Sequence, residues 1–171
     1  PGDGGIAPQL DFVTENVATN IVHYPLPSRF QEESGMTIGY KAEVVFPLSF
    51  QPFDTAKPVK VLLKSFFGVC EVVCIPAQFS GELIFDPAKS AVPDQALISQ
   101  WQSKVPILSV EGPIVKATTT TENGKPHLML DLLNPVDDIF VERNPAHYFG
   151  KPSTASGLYT LPVSGAKSAE E

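Results

Sequence analysis

The sequence predicts an all-β chain built as a β-sandwich, and three observations carry this prediction. Seventeen prolines and twelve glycines interrupt the 171 residues every few positions, with proline at about twice its usual share. The runs between them are short and rich in β-branched and aromatic residues, which is the composition of strands. Residues 37–50 alternate weakly between apolar and polar side chains, as a strand with one buried face does.

The elements follow in chain order. Strands are predicted at residues 18–24, 37–50, 58–69 and 79–85, with an exposed polar loop at residues 30–36. One helix is expected after Pro93, which suits a first helical position, because Leu97, Ile98, Trp101 and Val105 then share a face. Strands resume at residues 107–121, 127–133, 138–141 and 158–163. Asn123–Gly124 between two of them is a strong hairpin signal.

This pattern predicts three parts. Residues 1–90 form a sandwich domain and residues 91–105 form a helical linker. Residues 106–171 form a second β segment, either a complete or a partial domain, with a loose charged tail.

Charge and residue usage exclude several function classes. The net charge of −7 disfavours a nucleic-acid partner, and no apolar run has the length to span a bilayer. The three histidines lie far apart in the sequence and form no metal-binding pattern. We therefore expect no metal, no cofactor and no membrane insertion of this segment.

The two cysteines of the chain, Cys70 and Cys74, lie inside an apolar run. A straight strand would hold their Cα atoms about 13 Å apart, whereas a disulfide needs about 7 Å or less. A bond between them therefore requires a turn over residues 71–73, either a hairpin tip or one helical turn. Such a small loop contributes little stability, so the spacing indicates redox chemistry. Two buried, inert thiols explain the same residues equally well.

Several motifs resemble one family in the same order along the chain. They are PGDGGIAP at residues 1–8, ENVA at 15–18, YPLPSRF at 24–30, IGY at 38–40, VFPL at 45–48, the stretch from Val69 to Ala77, FVE at 140–142 and YFG at 148–150. The chain resembles the periplasmic N-terminal region of the DsbD/ScsB thiol–disulfide reductases, closest to the ScsB (suppressor of copper sensitivity) branch. The cysteine stretch is the most specific part of the resemblance.

The resemblance implies an immunoglobulin-like β-sandwich in the periplasm, within an inner-membrane protein. Cys70 and Cys74 would be the catalytic pair of a protein-disulfide reductase, cycling between dithiol and disulfide. A membrane-embedded domain of the same protein would donate the electrons. Periplasmic thioredoxin-fold proteins similar to ScsC, or peroxiredoxins, would accept them.

A cap over the cysteines is implied by the DsbD branch, and residues 30–40 fall at its position. The cap or partner-docking candidates are Phe30, Met36, Tyr40, Phe67, Glu71 and Pro76. The cysteines of DsbD itself are spaced more widely, and the chain is expected to be a fragment that starts after a signal peptide. The alternative function is a copper-binding or non-redox adaptor domain in periplasmic copper tolerance.

Overall fold

The computed structural model describes residues 6, 8–32, 35–70, 73–89, 94–108, 112–142 and 146–165. The chain divides into two compact units, Pro1–Ile107 and Leu108–Glu171. Within the described ranges most residues lie in strands, and Gln95–Gln102 (α1) is the single helix. The prediction of an all-β fold with one short helix is confirmed.

The first unit contains seven strands in three antiparallel sheets. They are β1 (Gln9–Glu15), β2 (Val17–Val22), β3 (Ser28–Glu32), β4 (Gly35–Gly39), β5 (Leu48–Pro52), β6 (Val59–Cys70) and β7 (Cys74–Phe85). The largest sheet has the order β1-β6-β7, and two-stranded sheets are formed by β2 with β5 and by β3 with β4. The twelve-residue strands β6 and β7 are paired along their whole length.

The β2–β5 sheet packs on the three-stranded sheet through aromatic rings. The Phe50 ring lies 5.9 Å from that of Phe12, edge to face, and 6.3 Å from that of Phe85. Val59 and Val61 of β6 are buried. Burial of these apolar side chains stabilises the sandwich.

Two predictions about residues 30–50 are wrong. The expected polar loop contains parts of β3 and β4, which form a hairpin. The expected long strand over residues 37–50 is divided into β4 and β5 by a non-strand segment. In that segment Tyr40 and Phe46 pack ring against ring, with centroids 5.4 Å apart. Their spacing therefore reflected an aromatic cluster instead of one face of a strand.

Helix α1 belongs to the first unit. The backbone N–H of Leu26 donates to the Lys104 carbonyl at 3.0 Å, just beyond the helix. Trp101 is buried, and the Lys104 ammonium lies 3.7 Å from the centroid of its ring, a cation–π contact. Pro93 lies outside the described residues.

The second unit is one sheet of five strands. They are β8 (Ile114–Glu122), β9 (Lys125–Leu132), β10 (His147–Phe149), β11 (Ser153–Ala155) and β12 (Leu158–Gly165). Their order is β10-β12-β9-β8, and β11 also pairs with β12. The Asn123–Gly124 turn joins β8 to β9 as predicted, with φ angles of 51° and 75°. Asn and Gly are the residues that tolerate positive φ at both turn positions.

The core of this unit is formed by Leu130, Tyr159 and Leu161. The Tyr159 hydroxyl donates to the Val136 carbonyl at 3.0 Å and accepts from the Val136 N–H at 2.7 Å. The strand predicted at residues 138–141 is not formed. Ile139 instead packs against the core cluster, so its apolar character reflects burial of a loop.

Candidate functional site

The two cysteines form the last pair of the β6–β7 hairpin. Cys70 lies directly opposite Cys74, their Cα atoms are 4.0 Å apart, and their sulfurs form a disulfide. The hairpin tip is therefore the correct one of the two turn geometries, and the cysteines are not separate buried thiols. Glu71 and Val72 lie outside the described residues, so the predicted role of Glu71 stays a prediction.

Ile6 lies on the cysteine face of the hairpin. Side chains alternate along a strand, so Gly68 shares the face of Cys70. A Cβ added at Gly68 would lie 2.9 Å from the Ile6 Cβ. The Ile6 side chain therefore packs against the backbone of Gly68, and Gly68 lies two residues before Cys70. A glycine within a strand pattern indicates such a close approach, and this is the signal that the sequence analysis missed.

Replacing Gly68 with alanine is expected to displace Ile6, because the new methyl group needs the space that Ile6 occupies. The disulfide should then be reduced several-fold faster by a small thiol such as dithiothreitol, measured by alkylation and mass spectrometry. Gly39→Ala is the matched control, since nothing lies within 4 Å of a Cβ there. An unchanged rate in Gly68→Ala would show that Ile6 does not shield the disulfide.

The opposite face of the hairpin is apolar and exposed near the cysteines. Val69, Ile75 and Phe79 are 57%, 65% and 58% exposed, and alternation places them on the face of Val59 and Val61. Exposed apolar side chains grouped on one face are candidates for an interaction site. This surface, defined here as the tip patch of Val69, Ile75 and Phe79, adjoins the disulfide.

Two predicted site residues lie on this hairpin. Phe67 is half-buried opposite Ala77, on the face of the tip patch. Pro76 is exposed opposite Gly68, on the cysteine face. Both lie within four residues of a cysteine, but their docking role stays a prediction.

The remaining cap candidates lie in or just after the β3–β4 hairpin. Phe30 pairs with Thr37, Met36 pairs with Gln31, and both candidates are half-buried. Tyr40 donates a hydrogen bond from its hydroxyl to the Pro25 carbonyl at 2.7 Å. Burial, and to a smaller extent Tyr24, raises the pKa of Tyr40. Tyr40 therefore has a structural contact, and a cap role for the three residues stays a prediction.

No nearby cation on β6 can activate a cysteine directly. Lys64 lies on the cysteine face, opposite Asp11 on one side and Ser80 on the other. Its position is six residues from Cys70, about 20 Å along the strand. An ion pair with a thiolate at Cys70 is excluded at this distance.

Two cavities among the described residues of the first unit have no cysteine in their lining. A cavity of about 200 Å³ is lined by Lys64, Ser65, Gln78, Phe79 and Ser80. A cavity of about 750 Å³ lies at the far end of β7, between residues such as Phe50 and Phe85. The cysteines thus occupy a protruding tip, which suits a protein partner better than a small substrate.

Metal-binding and membrane-spanning features were also considered. Within the described ranges, no group of three or more His, Cys, Asp or Glu side chains could hold a metal ion. Helix α1 is too short to cross a membrane, and the described part of the chain contains no other helix.

Comparison with known proteins found a family model that matches the part of the chain with the cysteine hairpin. The family model of the N-terminal part of thiol:disulfide interchange protein DsbD matches residues 7–84, which include both cysteines. No curated protein sequence matches the chain.

A solved structure has a similar fold. It is the N-terminal periplasmic domain of ScsB from Proteus mirabilis, which is 26% identical with a TM-score of 0.70. The match covers 98% of this chain and 67% of that one. The implied immunoglobulin-like sandwich is therefore confirmed. The family model over residues 7–84 and this solved structure together support an N-terminal domain of the DsbD/ScsB type in this chain.

Proposed function

We propose that the chain is a periplasmic protein-disulfide reductase module in which Cys70 and Cys74 are the redox pair. The observation that carries this proposal is the disulfide between two half-buried cysteines at a hairpin tip, inside the segment that matches the interchange family. The two cysteines lie on adjacent strands that are paired along their whole length. They can therefore alternate between bonded and free states without rearrangement of the sheet.

The reaction consists of two thiol–disulfide exchanges. One thiolate attacks a sulfur of the partner disulfide, a mixed disulfide forms, and the partner's other sulfur leaves as a thiolate. The second cysteine then attacks the sulfur of its neighbour in the mixed disulfide and releases the reduced partner. Two electrons pass to the partner, and the Cys70–Cys74 bond forms.

The electron donor would be a membrane-embedded domain of the same protein. The acceptors would be ScsC-like thioredoxin-fold proteins or peroxiredoxins of the periplasm. The family-model match and the similarity to a periplasmic domain of ScsB support this pathway. On this proposal the chain would lie in the periplasm, within an inner-membrane protein.

The sequence-based division of the chain is part of the proposal. Residues 1–90 would act as the redox domain, residues 91–105 as the linker and residues 106–171 as a second β domain. The β3–β4 hairpin, with Phe30 and Met36, would act as the cap of the cysteine pair.

Thiol counting under redox control tests the central claim. Alkylation of the oxidised chain should label no cysteine, and alkylation after equilibration with a mild reductant should label both. The reduced chain should then reduce oxidised thioredoxin, with reformation of the bridge. Two free thiols in an oxidising buffer, or no transfer to a protein disulfide, would contradict the reductase function.

The oxidised and reduced samples also test the alternative function, a copper-binding module. A copper-binding module would retain one Cu(I) per chain against a strong chelator, and Cys70→Ser would lose it. We expect no such retention by the oxidised chain, because its two sulfurs are bonded to each other and offer no thiolate to Cu(I).

A further inference from the structure

The outer edge of β7 offers an open row of backbone groups beside the cysteines. Strand β7 is the last strand of the β1-β6-β7 sheet, and no strand of the described residues pairs with its other side. It is twelve residues long and contains neither lysine nor arginine. Soluble proteins usually protect an edge of this length with lysine, bulges or a covering segment.

The register shows which residues of β7 face outward. The 4.0 Å Cα separation of Cys70 and Cys74 identifies a close, non-hydrogen-bonded pair. In such a pair the N–H and C=O groups point away from the partner strand. The Ser65 hydroxyl donates to the Phe79 carbonyl at 3.4 Å, so Phe79 faces β6. Since the pairing is continuous, the even-numbered residues of β7 face outward.

The outward-facing residues can bond an added strand. Gln78, Ser80 and Glu82 each present one N–H and one C=O. Pro76 lacks an N–H, but at an outward position it leaves the ladder with β6 intact. Gln78 is therefore the first outward-facing residue after Cys74 that presents both a donor and an acceptor, about 13 Å along the strand.

Side-chain contacts are available along the same edge. The 200 Å³ cavity includes Gln78, Phe79 and Ser80 and could hold a side chain of an added strand. Phe79 and Ile75 are more than half exposed and could pack against its apolar residues. Backbone bonds and alternate side-chain contacts together are the features of recognition by strand addition.

We propose that the disulfide partner docks by adding an extended, partly apolar segment to the outer edge of β7. This rests on the proposed function, since an exchanging partner must bring its sulfur to the cysteine pair. Strand β7 starts at Cys74, so its edge is continuous with that contact. A segment bonded at residues 78–82 would hold the partner's cysteine beside the hairpin tip while the sulfurs exchange.

A proline at an outward position tests the proposal. Ser80→Pro removes one outward N–H and leaves the bonds to β6, while Ser80→Ala keeps the N–H and is the control. Loss of this one hydrogen bond corresponds to a reaction up to about tenfold slower. We expect this loss for oxidised thioredoxin in Ser80→Pro only, and unchanged rates with oxidised glutathione for both variants.

The outcomes separate the two proposals. A wild-type chain that reduces neither disulfide contradicts the reductase function. Equal rates of wild type and Ser80→Pro with thioredoxin overturn strand addition alone. If the wild type is a dimer and Ser80→Pro is a monomer, the edge of β7 binds a second copy of the chain. This result would also overturn strand addition by the disulfide partner.

Hydrogen exchange gives a readout that does not depend on the folding of Ser80→Pro. Cys70→Ser would be trapped as a mixed disulfide with a thioredoxin variant that keeps one cysteine, activated beforehand as its mixed disulfide with 5-thio-2-nitrobenzoate. The Cys74 thiolate then attacks the thioredoxin sulfur, and 5-thio-2-nitrobenzoate leaves as a thiolate. The outward amides of Gln78, Ser80 and Glu82 should then exchange at least about tenfold more slowly than in the free chain. Unchanged exchange of these three amides in the trapped complex would overturn the proposal.

Discussion

Replacing either cysteine of the hairpin with serine is expected to abolish the reduction of protein disulfides. A serine hydroxyl does not ionise near neutral pH and is a poor nucleophile without an adjacent base. A chain with one cysteine can form a mixed disulfide, but it has no second thiol to resolve it. Release of reduced thioredoxin in a single turnover by the pre-reduced Cys70→Ser or Cys74→Ser chain should therefore be about 10³-fold slower or more.

The fold should not depend on the disulfide, which gives this experiment its control. The bridge joins two residues only four positions apart, and such a loop contributes about 2 kcal/mol or less through chain entropy. Both serine variants and the reduced wild type should show a cooperative unfolding transition and native circular dichroism. Global unfolding on reduction would mean that the fold depends on the disulfide. Full activity in either variant would exclude the Cys70–Cys74 cycle.

Replacing Asn16 with alanine is expected to destabilise the first unit by about 2–3 kcal/mol. The Asn16 amide nitrogen lies 2.9, 3.1 and 3.2 Å from the carbonyl oxygens of Asp54, Lys57 and Pro58. Its amide oxygen accepts from the Asp54 N–H at 2.9 Å. One side chain thus holds the loop between β5 and β6. Denaturant unfolding followed by tryptophan fluorescence measures the loss.

Two further variants separate the causes of this effect. Asn16 has a φ of 60°, which asparagine and glycine tolerate better than alanine. Asn16→Gly should lose the side-chain bonds without backbone strain and be less destabilised than Asn16→Ala. Asn16→Asp should lose the bonds to the three carbonyls because a carboxylate cannot donate. Wild-type stability in all three variants would show that the loop is held by other contacts.

The sequence determined the elements whose signals are local. The β-branched run of β6 was predicted to within a residue or two, because strand composition and the following cysteines delimit it. The Asn123–Gly124 hairpin was predicted because few other residue pairs adopt two consecutive positive φ angles. Helix α1 was predicted because its apolar residues repeat with the helical period, and Trp101 of that face is buried.

The sequence also determined the pair of residues at the site, but not their geometry. Two cysteines four positions apart allowed either a hairpin tip or a helical turn. Residues 71–73 include no glycine, asparagine or aspartate, so turn chemistry could not predict the hairpin. The register of β6 against β7 places Cys70 opposite Cys74. That register depends on pairing along twelve residues, which is a property of the whole sheet.

The tertiary structure alone decided what surrounds the cysteines. Ile6 lies 62 residues before Gly68 in the chain, and no local pattern links them. The β3–β4 hairpin escaped prediction because its polar residues resemble a loop when their pairing partner is unknown. The open edge of β7 likewise follows from strand order, since side-chain alternation reports which face is buried but not which neighbour is missing. Pairing between distant strands depends on the burial and hydrogen bonding of all the segments together. A single stretch of sequence does not show which distant segment it will pair with.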